Sequence, residues 1–76
     1  MPPKKSPSSI ALGSAIRACR KERGYTQEAF ASDAGIDRSY YGAIERGEFN
    51  LTVETILRIA AGLELTATEL FERAGL

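Results

Sequence analysis

Residues 26–50 read TQEAFASDAGIDRSYYGAIERGEFN, and the order of caps, glycines and apolar positions in this stretch decides the fold. Thr26 ahead of Gln27, with Glu28 in the first turn, is a helix start. The threonine oxygen can accept from an otherwise orphaned backbone amide, and the carboxylate sits at the positive end of the helix dipole. Ala29, Phe30 and Ala34 form the inner face of this helix. Gly35 ends it after barely two turns, and Asp37 stands where it can cap another helix, whose apolar positions are Ile36, Tyr41 and Ile44 and which closes at Gly47. The stretch therefore predicts helices over 27–34 and 38–46, joined by a three-residue connection that holds a glycine. That is the layout of a helix-turn-helix.

Upstream, Leu12, Ala15, Ile16 and Cys19 recur at spacings of three and four, which predicts a first helix from Ser9 to about Arg23 with Gly24 as its stop. The preceding residues hold all the prolines together with serines and lysines, a composition too poor in apolar surface to order itself. Residues 1–8 are accordingly expected to be a flexible basic tail, and 9–76 the domain. Downstream, Thr52 caps a fourth helix carrying Val53, Ile56, Leu57, Ala60 and Leu63 at the same spacing. Thr66 with Glu69 makes a capping box that opens a fifth helix, with Leu70, Phe71 and Ala74 as its stripe. No alternating strand pattern occurs, so the expected fold is all-α with five helices.

A chain of 76 residues buries only about 60% of the surface its unfolded form exposes. Such a domain commonly draws on a disulfide, a metal or a partner subunit. Cys19 is the only cysteine and there is no histidine, so neither an internal disulfide nor the usual zinc ligands are available. Association with another chain remains. No run of 18 apolar residues and no signal-peptide pattern is present, and a cytoplasmic protein without membrane contact is expected. Acid-base or phosphoryl chemistry lacks its usual parts, and Cys19 lies on an apolar face, so the chain does not read as an enzyme and no cofactor is expected.

The net charge is zero, but its distribution is uneven: +5 over residues 1–23, −3 over 24–50 and −2 over 51–76. A basic end facing phosphates fits this asymmetry, and so does a solvated charged helix.

Thr26-Gln27, Ala31, Gly35, Ile36 and Ile44-Glu45-Arg46-Gly47 together resemble the phage-repressor type of helix-turn-helix, the Cro/CI (XRE) family, over roughly residues 9–74. Asp37-Arg38-Ser39-Tyr40, and Glu45-Arg46-Gly47 followed by Asn50, are most similar to the controller proteins of restriction-modification systems. The resemblance implies a five-helix DNA-binding domain, a transcription regulator working as a homodimer on a palindromic operator. It also implies a structural salt bridge between Arg20 and Glu45, joining the first helix to the end of the third. If that pair is partly buried, removing one partner should cost far more than at the surface.

A recognition helix presents its N-terminal residues to base edges in the major groove. Arg38 and Ser39 occupy those positions, and an arginine fork matches the O6 and N7 acceptors of guanine. The alternative for Arg38 is a phosphate or intramolecular ion pair. Ala43 is a third base-reading position, limited to a thymine methyl. Phosphate contacts are expected from Gln27 at the start of the second helix, from Tyr40, from Arg46 and Asn50 around the following loop, and from Arg17 with Lys21 on the first helix. Phe49 stands where related controllers often carry a base, and its ring can pack in the loop instead. Lys4 and Lys5 can follow the DNA backbone as an arm or simply keep the tail soluble.

Leu65, Leu70, Phe71 and Leu76 offer more apolar surface than a domain of this size readily buries, and they are the expected dimer interface, the alternative being that they complete the core. Glu28 and Asp33 form an acidic surface for RNA polymerase. Two other functions stay open on sequence: an antitoxin of a toxin-antitoxin pair, and a helical protein-interaction module without DNA binding.

Overall fold

Every helix of the computed structural model, which describes residues 5–76, starts on a side-chain cap. Ser6 opens α1 (Pro7–Glu22), Thr26 α2 (Gln27–Ala34), Asp37 α3 (Arg38–Glu45), Thr52 α4 (Val53–Gly62) and Thr66 α5 (Ala67–Arg73). In each case the side-chain oxygen accepts from the amide three residues on, satisfying one of the donors a helix start leaves orphaned. Thr66 and Glu69 close the reciprocal capping box. No strand occurs among the described residues.

α1 begins two residues before Ser9. Ser6 Oγ accepts from the Ser9 amide at 3.1 Å, and Pro7 fills the first helical position, where its missing N–H costs nothing. Residues 6–8, expected as tail, thus form the cap and first turn, while Lys4 lies outside the described residues. α3 ends one residue early, at Glu45, with Arg46 as its C-cap.

The core draws on all five helices: Leu12, Ile16 and Cys19 from α1, Phe30 from α2, Tyr41 and Ile44 from α3, Ile59 from α4 with its C-cap Leu63, and Leu70 from α5. Tyr25, Phe30 and Tyr41 form a chain of rings, with centroids 5.6 and 5.2 Å apart, tying the α1–α2 loop through α2 to α3. α1 lies against the end of α3 at Gly13, where an added Cβ would stand 2.5 Å from the Ile44 carbonyl oxygen. Only a residue without a side chain allows the two backbones this close. Between α2 and α3, Gly35 takes φ +70°, a left-handed conformation open to glycine at little cost, and the Ile36 amide bonds back to the Ala31 carbonyl at 2.9 Å. This turn fixes how α3 leaves α2.

Two expectations about apolar side chains are corrected. Leu70 is 0% exposed, because it is the residue that seats short α5 on the core, and so it is not interface surface. Val53 and Leu57 belong to the apolar pattern of α4 yet are 72% and 53% exposed. Ile59, Ala60 and Leu63 fill the buried side of α4 and its C-cap, with Ile56 half-buried beside them, leaving Val53 and Leu57 on the flank. No helix among the described residues is long and apolar enough to cross a membrane.

Candidate nucleic-acid interface

α3 is sunk into the protein along most of its length and emerges only at its first turn. Tyr41 through Glu45 are buried, Tyr40 is half-buried, and Arg38 and Ser39 are exposed. Asp37 caps that turn, with its Oδ2 accepting from the Tyr40 amide at 3.1 Å. The structure therefore offers Arg38 and Ser39 outward on a rigid base. Ala43 is different: at 5% exposure its methyl is enclosed by the fold, which corrects its expected role as a base reader.

At the opposite end of α3 lies a buried ionic network. Arg20 Nε donates to Glu45 Oε2 at 2.7 Å and its Nη2 to Glu45 Oε1 at 3.1 Å, while Nη1 reaches the Tyr25 carbonyl at 2.7 Å. The side chains of this pair are only 8% and 2% exposed. Gln27 Nε2 donates to the same carboxylate at 2.9 Å, so its amide is partly turned inward and is not wholly free for phosphate. Burial by itself would raise the Glu45 pKa, but the hydrogen bonds from Arg20 and Gln27 outweigh it and hold the carboxyl below its usual range. Glu45 thus joins α1, the start of α2 and the end of α3 through one charged group.

The Tyr41 hydroxyl is enclosed beside this network without a hydrogen bond of standard geometry. Burial first, and then the neighbouring Glu45 carboxylate, push its ionisation far up, so it stays neutral. A buried hydroxyl without a partner costs free energy that an apolar replacement avoids. Tyr41→Phe is therefore expected to raise stability by about 1 kcal/mol, a gain of roughly 4–8 °C in Tm for a domain of this size. A thermal melt showing the variant less stable would mean that the hydroxyl supports Glu45 after all.

Around the outer turn the expected contacts are arranged less simply. Arg38 is 63% exposed along its side chain, with Nε 3.8 Å from Glu28 Oε1. Arg46 Nε donates to Glu48 Oε2 at 2.6 Å, and Arg46 Nη1 lies 3.3 Å from where a Cβ on Gly42 would stand. Tyr40 meets Phe49 edge to face with centroids 5.3 Å apart, so Phe49 packs in the loop and braces the Tyr40 ring. Asn50 Oδ1 accepts from Ser9 Oγ at 2.8 Å, which ties the loop to α1 and leaves the Asn50 amide nitrogen as its outward donor. Arg17 and Lys21 are exposed on α1. Sequence reasoning left an intramolecular ion pair open for Arg38 without naming Glu28, and missed the carboxylate partner of Arg46. Glu48, two residues after Arg46, was a visible signal, whereas the Glu28–Arg38 approach depends on how the turn at Gly35 folds α3 back.

Of the expected interface residues away from this surface, Leu65 and Phe71 are half-buried and Leu76 is exposed. Leu12, Leu51, Ile56, Phe71 and Leu76 line a shallow apolar groove of about 180 Å³ between α1, α4 and α5.

Two short helices joined by a glycine turn, with the second one's first turn offered outward and its far end held by a buried ionic network, form a DNA-binding helix-turn-helix. Residues 16–70 match the family described as Helix-turn-helix, and the chain belongs to it: it is a DNA-binding transcriptional regulator of the XRE type. Within that family it is similar to restriction-modification controllers. Control protein C.MunI of Mycoplasma sp is 40% identical over 63 residues, covering 82% of this chain and 85% of that protein. Control protein C.SmaI of Serratia marcescens is 34% identical over 65 residues, covering 86% and 77%. Among solved structures, the controller C.AhdI from Aeromonas hydrophila superposes with a TM-score of 0.78 at 39% identity, covering 82% of this chain and 94% of that one. The wild-type controller C.Esp1396I superposes with a TM-score of 0.83 at 34% identity, covering 92% and 91%.

Proposed function

We propose that the protein acts in the cytoplasm as a homodimer on a palindromic operator, as the controller of a restriction-modification system. The observation that carries this is the exposed first turn of α3. Arg38 and Ser39 are its outward side chains, and a helix starting there can enter a major groove with them at the base edges. Tyr40, Arg46, Arg17, the Asn50 amide and the remaining N–H of Gln27 are the phosphate contacts around it, fixing register without reading sequence. Exposed Glu28 and Asp33 on α2 are the surface for RNA polymerase.

One α3 covers too few base pairs for selective binding, so two must act together. The dimer surface is drawn from the apolar side chains the fold leaves uncovered on α4 and at the C-terminal end: Val53, Leu57 and Leu76, exposed, and Ile56, Leu65 and Phe71, half-buried. Leu70, being core, has no part in it. Leu57→Glu sets a charge on an exposed apolar position of α4 without touching the core, and is expected to convert the dimer to a folded monomer by sedimentation at micromolar concentration. A variant that still sediments as the wild type would place the interface elsewhere.

Selection of bound duplexes from a random pool tests the function itself. The expected product is a palindrome whose half-sites lie about 34 Å apart, one turn of DNA. Recovery of duplexes with no shared sequence would overturn it.

A further inference from the structure

Both arginines beside the recognition surface turn their Nε edge to a carboxylate, Arg46 in a hydrogen bond and Arg38 in a longer, exposed ion pair. Arg38 Nε faces Glu28 Oε1 at 3.8 Å, and Arg46 Nε donates to Glu48 Oε2 at 2.6 Å with Nη2 at 3.5 Å from Oε1. An arginine gripped along its Nε edge still has outer N–H groups free, and these are the groups that form a fork with a base or a phosphate. Gly42, one turn ahead of Arg46 and one turn after Arg38, carries no side chain, and the Arg46 guanidinium lies across the space it leaves. Arg46 itself, first among the causes, and then Lys5 hold the Glu48 carboxyl below the usual range, so it is charged at neutral pH. The outer surface of α3 therefore carries oriented donors whose positive charge is locally cancelled, in a chain whose overall charge is zero.

We propose that Glu28 and Glu48 are specificity-determining positioning residues, which aim the guanidinium groups of Arg38 and Arg46 by their Nε edges while withholding their charge from the phosphates of non-operator DNA. Non-operator binding is almost wholly electrostatic, so a cation already paired adds little to it. Operator binding uses direction as well as charge, and an arginine already aimed loses less freedom on making its contact. Each carboxylate thus widens the gap between the two kinds of binding, lowering the weaker one and supporting the stronger.

This inference rests on the interface described above, and the experiment separates the two. The full-length chain is compared with Glu28→Gln, Glu48→Gln and the double variant, on an operator selected from a random pool and on a random duplex. The glutamines keep an acceptor for Nε but lose the charge. One freed cation adds about 0.9 to the salt slope, which at about 0.1 M salt is roughly eightfold in affinity. Each variant frees one cation in each protomer of the dimer, so random-duplex binding should strengthen by about the square of that factor, roughly sixtyfold, with the slope steepening by about 1.8, and the operator-to-random ratio should fall correspondingly. Alanine at either position loses the aim as well and should also weaken operator binding. Equal gains on both duplexes, or no change in slope, would overturn the role of the carboxylates. If Arg38→Ala leaves operator binding intact, the interface itself is wrong; if Arg38→Ala abolishes it while the glutamine variants keep the wild-type ratio, only this inference fails.

Discussion

Glu45→Ala is expected to lower the melting temperature by more than about 10 °C. The substitution strips the buried Arg20 guanidinium of both bonds to its carboxylate and frees the Gln27 amide with it. An uncompensated buried charge typically costs about 3–5 kcal/mol. At about 0.05–0.15 kcal/mol per residue, the whole domain has roughly 4–11 kcal/mol to lose. Helical content followed through a thermal melt checks this, and a Tm within a few degrees of wild type would contradict it. The same group makes stability depend on pH. Because the Glu45 pKa is lowered on folding, its contribution is complete above the ordinary glutamate value of about 4.3 and is lost as pH falls through the lower folded value. The wild-type protein should hold its stability to mildly acidic pH and lose this part of it only below the usual carboxylate range. The alanine variant has no such group left to titrate.

Arg38→Ala is expected to act on the other side of α3, in recognition without instability. Arg38 is largely exposed and its one ion pair is a long surface contact, so the melt should be unchanged. On DNA, a bidentate arginine–guanine contact is worth about 1–3 kcal/mol of discrimination. A dimer loses it in both half-sites, which amounts to about 2–6 kcal/mol, or roughly thirty-fold to twenty-thousand-fold in operator affinity. Binding selections with the variant should show one guanine position relaxed in each half. A loss of equal size on all sequences would instead make Arg38 a phosphate contact.

Much of the fold was written locally. Thr26, Asp37, Thr52 and Thr66 were legible as caps because a cap needs only one side chain and an amide three residues away, and the glycine stops worked for the same reason. Pro7 misled, since a proline-rich segment looks like tail until Ser6 is seen to cap it. Val53, Leu57 and Leu70 show the limit of periodicity: spacing says that a residue shares a face, and only the arrangement of five helices says which face is covered. For the site, the outward turn at Arg38 and Ser39 followed from helix order. The enclosure of Ala43 depends on how deeply α3 sinks between its neighbours, and the partners of Arg38, Gln27 and Asn50 come from residues 10 to 41 positions away in sequence. No short-range pattern carries that information.

The division of α3 into a sunken length and a protruding start has an evolutionary meaning. Tyr41, Ile44 and Glu45 hold the domain together, while Arg38 and Ser39 hold nothing in place. With the proposed base readers at Arg38 and Ser39, the DNA preference would be open to rewriting through two codons without disturbing the scaffold, so descendants of this gene would acquire new targets one base at a time while remaining folded throughout.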